Sequence, residues 1–291
     1  MHKEITQGFQ RYLEQLGYSK SSIFMLPRCV LDFLEYTNTT DITQIKQQEI
    51  QRFYEYLQQR QHKRKAEALS ETFIHHNIYS LKVFFSWLEK THQIDFNPIS
   101  NLKFKRPQVN VRQPLSQQEI KELFDNVVDT KEIALLHLFY SCGLRRTEAE
   151  NLNIRDIHFG TNLLYIRDGK GAKRRVVPIN EKVKRELERY YLDVRQKIPI
   201  NQVQEDEKEA FMLNTVGTRM SGESYNRALK SILKRTSIQK IITLHHLRHS
   251  IATHLLENGL SVELVRDFLG HSHLETTQIY TKVFKHQLKG L

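Results

Sequence analysis

The sequence predicts a mainly α (α+β) protein in two parts: an N-terminal bundle of four helices, then a second, mostly helical domain carrying a small antiparallel sheet. Three observations predict it. Apolar residues recur at helical spacing through roughly the first hundred positions. A basic, proline-punctuated stretch at residues 103–114 then interrupts the pattern. Beyond it, two short β-type runs sit among further helical stripes.

In the first part, Ile5, Phe9, Tyr12, Leu13 and Leu16 mark one helix face. Ile23, Leu26, Val30, Phe33 and Leu34 mark a second, between Ser19 and Tyr36. Pro27 lies inside that stripe and is expected to kink or restart the helix, since it lacks an N–H and its ring crowds the preceding turn. A third helix is expected over residues 45–60. A fourth starts from a Ser70/Thr72 cap and continues through Ile78, Leu81, Phe84, Phe85 and Leu88. Short connections between helices of this kind make a bundle. Between the third and fourth lies the run Gln61-His62-Lys63-Arg64-Lys65. Such a run is either a solvated loop or, beside a phosphate-binding surface, a backbone contact, so Lys63, Arg64 and Lys65 are candidate phosphate contacts.

Residues 103–114, with Lys103, Lys105, Arg106, Pro107, Arg112 and Pro114, read as an interdomain linker. The first domain is then residues 1–102 and the second residues 115–291. The second opens on Ser116 and Glu119, spaced as a helix capping box. Ile133 to Tyr140 is apolar on nearly every side, which predicts a buried helix, and Gly143 is placed to end it. Leu163 to Ile166 and Val176 to Ile179 read as the strands of a hairpin with Asp168 to Lys173 at its exposed tip. From about Glu181 the chain reads as helical, apart from a loop near Pro199 to Glu207 and a short apolar run at Phe211 to Leu213.

The bulk numbers narrow the function. The 291 residues carry 44 Lys+Arg against 33 Asp+Glu, a net charge of +11, which favours a polyanionic partner such as nucleic acid or an anionic surface. No apolar run approaches the roughly 18 residues a membrane-spanning helix needs, and the N-terminus lacks the continuous apolar segment of a secretory signal. Cys29 and Cys142 are far apart and without C-x-x-C spacing, so they read as small buried hydrophobes rather than as a disulfide or a zinc site.

Three segments carry residues fit for chemistry. In Gly143-Leu144-Arg145-Arg146-Thr147-Glu148, an Arg just past a buried helix is fixed in place, and its planar fork suits two phosphate oxygens. A surface Arg paired with Glu148 or Glu150 is the plainer alternative. In Thr243 to His249, the helical spacing sets His245 and Arg248 on neighbouring faces, where a His beside an Arg can bind phosphate and exchange a proton. A helix with several solvated histidines would look the same. Leu269-Gly270-His271 follows an amphipathic stripe, with Gly270 as its C-cap, and Tyr280 lies further on, one of 12 tyrosines. His245, His249 and His254 raise the question of a metal. Neither H-E-x-x-H nor matching carboxylates accompany them, and Arg248 would repel a cation, so no metal and no other cofactor is expected.

Taken in order, Gly143-Leu144-Arg145, Gly169-Lys170-Gly171 on a hairpin, His245-x-x-Arg248, Leu269-Gly270-His271 and Tyr280 resemble the tyrosine recombinase/λ-integrase (phage integrase) family, and most of all its Xer-type members. The resemblance implies a four-helix, SAM-like core-binding domain followed by the catalytic domain. It implies that Arg145 and Arg248 grip the scissile phosphate. Lys170 would protonate the leaving 5′-oxygen, His245 would assist proton transfer at the tyrosine, and His271 would hydrogen-bond the phosphate. Tyr280 would be the nucleophile, forming a 3′-phosphotyrosine, and Glu148 a structural carboxylate. Arg146 and Lys173 join Lys63, Arg64 and Lys65 as candidate DNA contacts. The implied partners are double-stranded DNA with paired recombination sites and a tetramer on DNA, of one chain or with a related recombinase. The implied location is the cytoplasm, at the nucleoid. Chromosome-dimer resolution, inversion and mobile-element integration all fit. So do two other readings: a catalytically silent DNA-binding protein and a type IB topoisomerase-like nicking-closing enzyme.

Overall fold

The structure, a computed structural model, describes residues 2–39, 41–61, 67–107, 113–167 and 174–270. The chain divides into two compact units, Met1–Asn110 and Val111–Leu291. Among the described residues no helix is long and apolar enough to cross a membrane.

The first unit is built on α1 (His2–Gln15), α2 (Lys20–Thr37), α3 (Gln47–Gln59) and α4 (Glu71–Lys90). Each presents the stripe its periodicity foretells. Phe9 and Leu13 of α1, Phe33 and Leu34 of α2, Phe53 of α3 and Phe84 of α4 are buried in one core. Edge-to-face aromatic pairs join the helices, Phe9 with Phe84 at 5.4 Å and Phe33 with Phe53 at 5.1 Å. Each such pair adds roughly 0.5–1.5 kcal/mol beyond the area it buries. Ser70 caps α4, its hydroxyl accepting the Phe73 N–H. The restart expected at Pro27 does not occur: α2 runs unbroken through it. Leu26, Val30 and Phe33 on either side of Pro27 all lie in the same core, and the buried Ser80 hydroxyl of α4 donates to the Leu26 carbonyl at 2.6 Å. Packing on both sides outweighs one lost backbone hydrogen bond. Phe104, from the stretch read as linker, packs on this core, with the Lys82 ammonium over its ring.

The second unit begins with α5 (Gln117–Asp125), closed by the Ser116/Glu119 capping box. The Ser116 N–H donates to Glu119 at 2.7 Å and the Glu119 N–H to Ser116 at 3.2 Å. α6 (Thr130–Leu136) continues through a wider turn, His137–Ser141, buried along its length, until Gly143 ends it at φ +58°. Then follow α7 (Arg146–Glu150) and an antiparallel sheet in the order β1 (Ile157–His158), β2 (Leu163–Ile166), β3 (Arg175–Pro178). In the β2–β3 hairpin Leu164 pairs with Val177 and Ile166 with Arg175; its tip, at residues 168–173, lies outside the described residues. α8 (Glu181–Tyr190), α9 (Gly222–Leu233), α10 (Leu244–Glu257) and α11 (Val262–Phe268) complete the unit. α11 ends at Gly270, at φ +75°. Leu138, Phe139, Leu247, Ile251, Val265 and Phe268 share one core, which packs the turn after α6 together with α10 and with α11.

Cys29 and Cys142 are both buried and unpaired with each other. Burial pushes their thiols up, to about 11 and about 12.

Candidate functional site

Gly143 stands at the centre of the site. Its positive φ lets the chain turn sharply out of the buried α6 end, and a Cβ there would come within 3.0 Å of Leu269 and 3.3 Å of Phe268. That turn delivers Arg145 to the N-terminus of α7. Glu148, one turn on, folds back to accept the Arg145 N–H at 2.7 Å, a capping interaction, and accepts the Arg145 guanidinium at 2.6 Å. The Glu148 side chain has no solvent exposure, whereas that of Arg145 keeps 20 %. Arg145 is thus anchored at one end of its fork and open on the other.

Arg248 comes from α10 and is buried. Its guanidinium donates to the Gly143 carbonyl and, at 2.5 Å, to the Leu269 carbonyl, and it lies 3.8 Å from Glu148. Burial, together with Arg175 and Arg145, pulls it down to about 9, which leaves it charged at neutral pH. Arg145 and Arg248, distant in sequence, are therefore held by one carboxylate and two carbonyls. His245 is one turn before Arg248, exposed, on the first turn of α10. With Leu144, Arg146, Asn226 of α9, Thr243 and Leu244 it lines an open cavity of about 350 Å³. Arg146 therefore faces the same cavity as His245, about 3.9 Å from Glu150.

Arg175, which the sequence reading did not single out, belongs to this cluster. It begins β3, and its side chain is 2 % exposed. It donates to Glu148 at 2.6 Å and to the Gly143 carbonyl at 3.3 Å. Burial pushes the Glu148 carboxyl up, but Arg175 and Arg145 outweigh it and hold the group below the usual carboxylate range. One signal pointed to Arg175: Val177 faces the core, and strand alternation puts the residue two positions earlier on the same side. His254, read as one of a histidine cluster, is instead a core residue, its Nδ1 hydrogen-bonded to the Tyr140 hydroxyl at 2.9 Å. Among the described residues no group of three or more His, Cys, Asp or Glu is placed to hold a metal ion. Lys63, Arg64, Lys65, Lys170, Lys173, His271 and Tyr280 lie outside the described residues.

Residues 113–287 match the phage integrase family. The chain belongs to that family, whose members are tyrosine recombinases. The tyrosine recombinase XerD of Oceanobacillus iheyensis is 31% identical over 283 residues, covering 94% of this chain and 92% of that protein. The crystal structure of XerA recombinase matches at 28% identity and a TM-score of 0.50, covering 99% of this chain and 96% of that one. The XerH site-specific recombinase, solved bound to its difH substrate, shares the fold at 20% identity and a TM-score of 0.64, covering 89% of this chain and 76% of that one.

Proposed function

We propose that the protein is a site-specific DNA recombinase that cleaves and rejoins duplex DNA through a 3′-phosphotyrosine at Tyr280. The observation that carries this reading is the pair of guanidiniums, Arg145 and Arg248, held by Glu148 and the Gly143 carbonyl in a chain of this family. Attack on a phosphodiester gathers negative charge on the non-bridging oxygens, and fixed guanidiniums meet that charge without reorganising. The Tyr280 oxygen attacks phosphorus, the bond from phosphorus to the 5′-oxygen breaks, and Lys170 supplies that oxygen with a proton. His245 takes up the phenol's proton and His271 hydrogen-bonds the phosphate. The tyrosyl ester retains the energy of the broken bond, so a 5′-hydroxyl reverses the step without ATP.

The partner is double-stranded DNA carrying paired sites, bound by a tetramer of this chain or of this chain with a related recombinase, in the cytoplasm at the nucleoid. The solved XerH complex supports DNA as the partner. The N-terminal unit serves as a core-binding domain and Val111–Leu291 as the catalytic domain. Lys63, Arg64, Lys65, Arg146 and Lys173 contact the backbone, so affinity falls steeply with salt. Resolution of chromosome dimers, inversion and integration are the biological tasks that fit.

The test incubates wild-type protein and Tyr280→Phe with genomic fragments, denatures, recovers protein-linked DNA and sequences its 3′ ends. Adducts from wild type alone, at a repeated and roughly palindromic site, are the expected result. Absence of adducts from wild type at a salt concentration where it binds DNA overturns the reading. Plasmid relaxation without any specific site would move it to a nicking-closing enzyme. Because guanidiniums supply the positive charge, adduct formation is expected to be unchanged in EDTA. Loss in EDTA with recovery on adding Mg²⁺ would overturn that expectation.

A further inference from the structure

The buried cluster holds more positive charge than the phosphate-gripping pair alone accounts for. Glu148 touches Arg145 and Arg175 at 2.6 Å each and lies 3.8 Å from Arg248. With Arg145 and Arg248 alone, a buried carboxylate would cancel half of the charge meant for the phosphate. Arg175 restores it, since three guanidiniums and one carboxylate sum to a net charge of +2. A phosphodiester carries one negative charge, and the pentacoordinate arrangement reached on attack approaches two. Arg175 is the most deeply buried of the three guanidiniums, at 2 % side-chain exposure against 6 % for Arg248 and 20 % for Arg145, and it bonds Glu148 directly, which suits it to a counter-charge better than to a substrate contact. Its Nε is buried and has no hydrogen-bond partner among the described residues.

Its stem has a second consequence. A Cβ on Gly270 would meet the Arg175 Cδ at 2.7 Å and its Nη1 at 3.2 Å, and Gly270 sits at a φ that disfavours side chains. Arg175 therefore fills the space beneath the turn that precedes His271, and it opens the strand that follows residues 168–173, among which Lys170 lies in sequence. Four segments of the candidate site meet at one side chain: the Gly143 turn, α7, β3 and the Gly270 turn.

On this basis we infer that Arg175 is a positioning residue for strand cleavage: it neutralises Glu148, so that Glu148 can orient Arg145 and Arg248 without weakening their hold on the scissile phosphate. The inference rests on the recombinase reading above. It also makes a prediction that a plain tether does not. Removing the Arg175 charge should be harmful chiefly while Glu148 is ionised, so neutralising both should restore part of what neutralising Arg175 alone removes. A tether, once cut, gains nothing from cutting its other end.

The test uses the full-length protein and the site recovered from the wild-type adducts, with adduct formation followed in a single turnover at saturating protein so that binding does not limit the rate. Arg175→Met is expected to cleave about 100-fold more slowly than wild type, comparable to the loss of one preorganised charge contact. Arg175→Lys, which keeps the charge and loses the fork, is expected to stay within about 10-fold of wild type. Glu148→Gln combined with Arg175→Met is expected to cleave at least about 10-fold faster than Arg175→Met alone, because its net charge returns to +2. Thermal melting of each variant identifies any that do not fold. If Arg175→Met does not fold, Arg175→Lys and the double variant carry the comparison: a folded Arg175→Lys slowed about 100-fold, or a folded double variant slowed about 100-fold relative to wild type, overturns the inference. So does a folded Arg175→Met that cleaves like wild type, or a double variant no faster than it. Failure of the wild type itself to form adducts overturns the functional reading instead, and the inference with it.

Discussion

Arg145→Ala is expected to bind DNA nearly as well as wild type and to form covalent adduct about 10²–10³-fold more slowly, the usual loss when a donor aimed at developing charge is removed. The structure separates these two effects. The Arg145 side chain is the least buried of the clustered guanidiniums, at 20 % exposure, and Glu148 keeps its second strong partner, Arg175, when Arg145 is truncated. The fold should therefore survive, and the deficit should fall on the chemical step. Arg145→Lys is expected to recover little, since an ammonium cannot bond Glu148 and two phosphate oxygens with one planar group. Gel-shift affinity and single-turnover adduct rate, measured side by side, check the prediction. Equal losses in both would mean that Arg145 holds the duplex rather than the transition state.

Glu148→Ala is expected to destabilise the second unit by about 3–5 kcal/mol, the cost of stripping a buried cluster of its counter-charge. Arg175 and Arg248, at 2 % and 6 % side-chain exposure, would be left facing each other across an empty position. The Arg145 N–H would lose its capping acceptor as well. Urea unfolding of wild type and variant measures this. The same carboxylate sets a pH dependence. Its folded value lies below the usual carboxylate range, so its contribution is fully present above that range. The contribution fades as the pH falls through the lowered folded value. The wild-type protein should therefore lose stability on acidification more steeply than Glu148→Gln, which has no such proton to take up. Parallel acid limbs for the two proteins would count against the assignment.

Local physics made much of this legible in the residues. The Ser116/Glu119 box closes as its spacing foretold, because both partners lie within one turn and need nothing from elsewhere in the chain. Gly143 ends its helix for a similar reason, and the Leu and Phe stripes of the first unit find each other because each helix has only one apolar face to bury. The pairing of Arg145 with Glu148 was also within reach, being one turn apart. Features decided at a distance were harder to read. The tolerance of Pro27 depends on α4 lying across the helix there, through Ser80, which bonds the Leu26 carbonyl 54 positions earlier. His254 looks like any other histidine on a helix until Tyr140 supplies a buried partner 114 residues away. Arg175 stands beside Arg174 at the end of a basic stretch, and charge alone does not separate one from the other. What separates them is strand alternation and the carboxylate beneath, and the second of these exists only in the folded chain.

The two cysteines offer an experimental handle. One lies in each compact unit, Cys29 in the first and Cys142 in the second, and both are shielded and held protonated by burial. A thiol in that condition reacts with a disulfide reagent only when its surroundings open. The native protein thus contains a pair of slow clocks, one per unit, readable without adding a label. With a dilute thiol reagent, the order in which residues 29 and 142 become modified would rank the opening rates of the two units. Whether DNA slows one clock or both would show which unit it steadies.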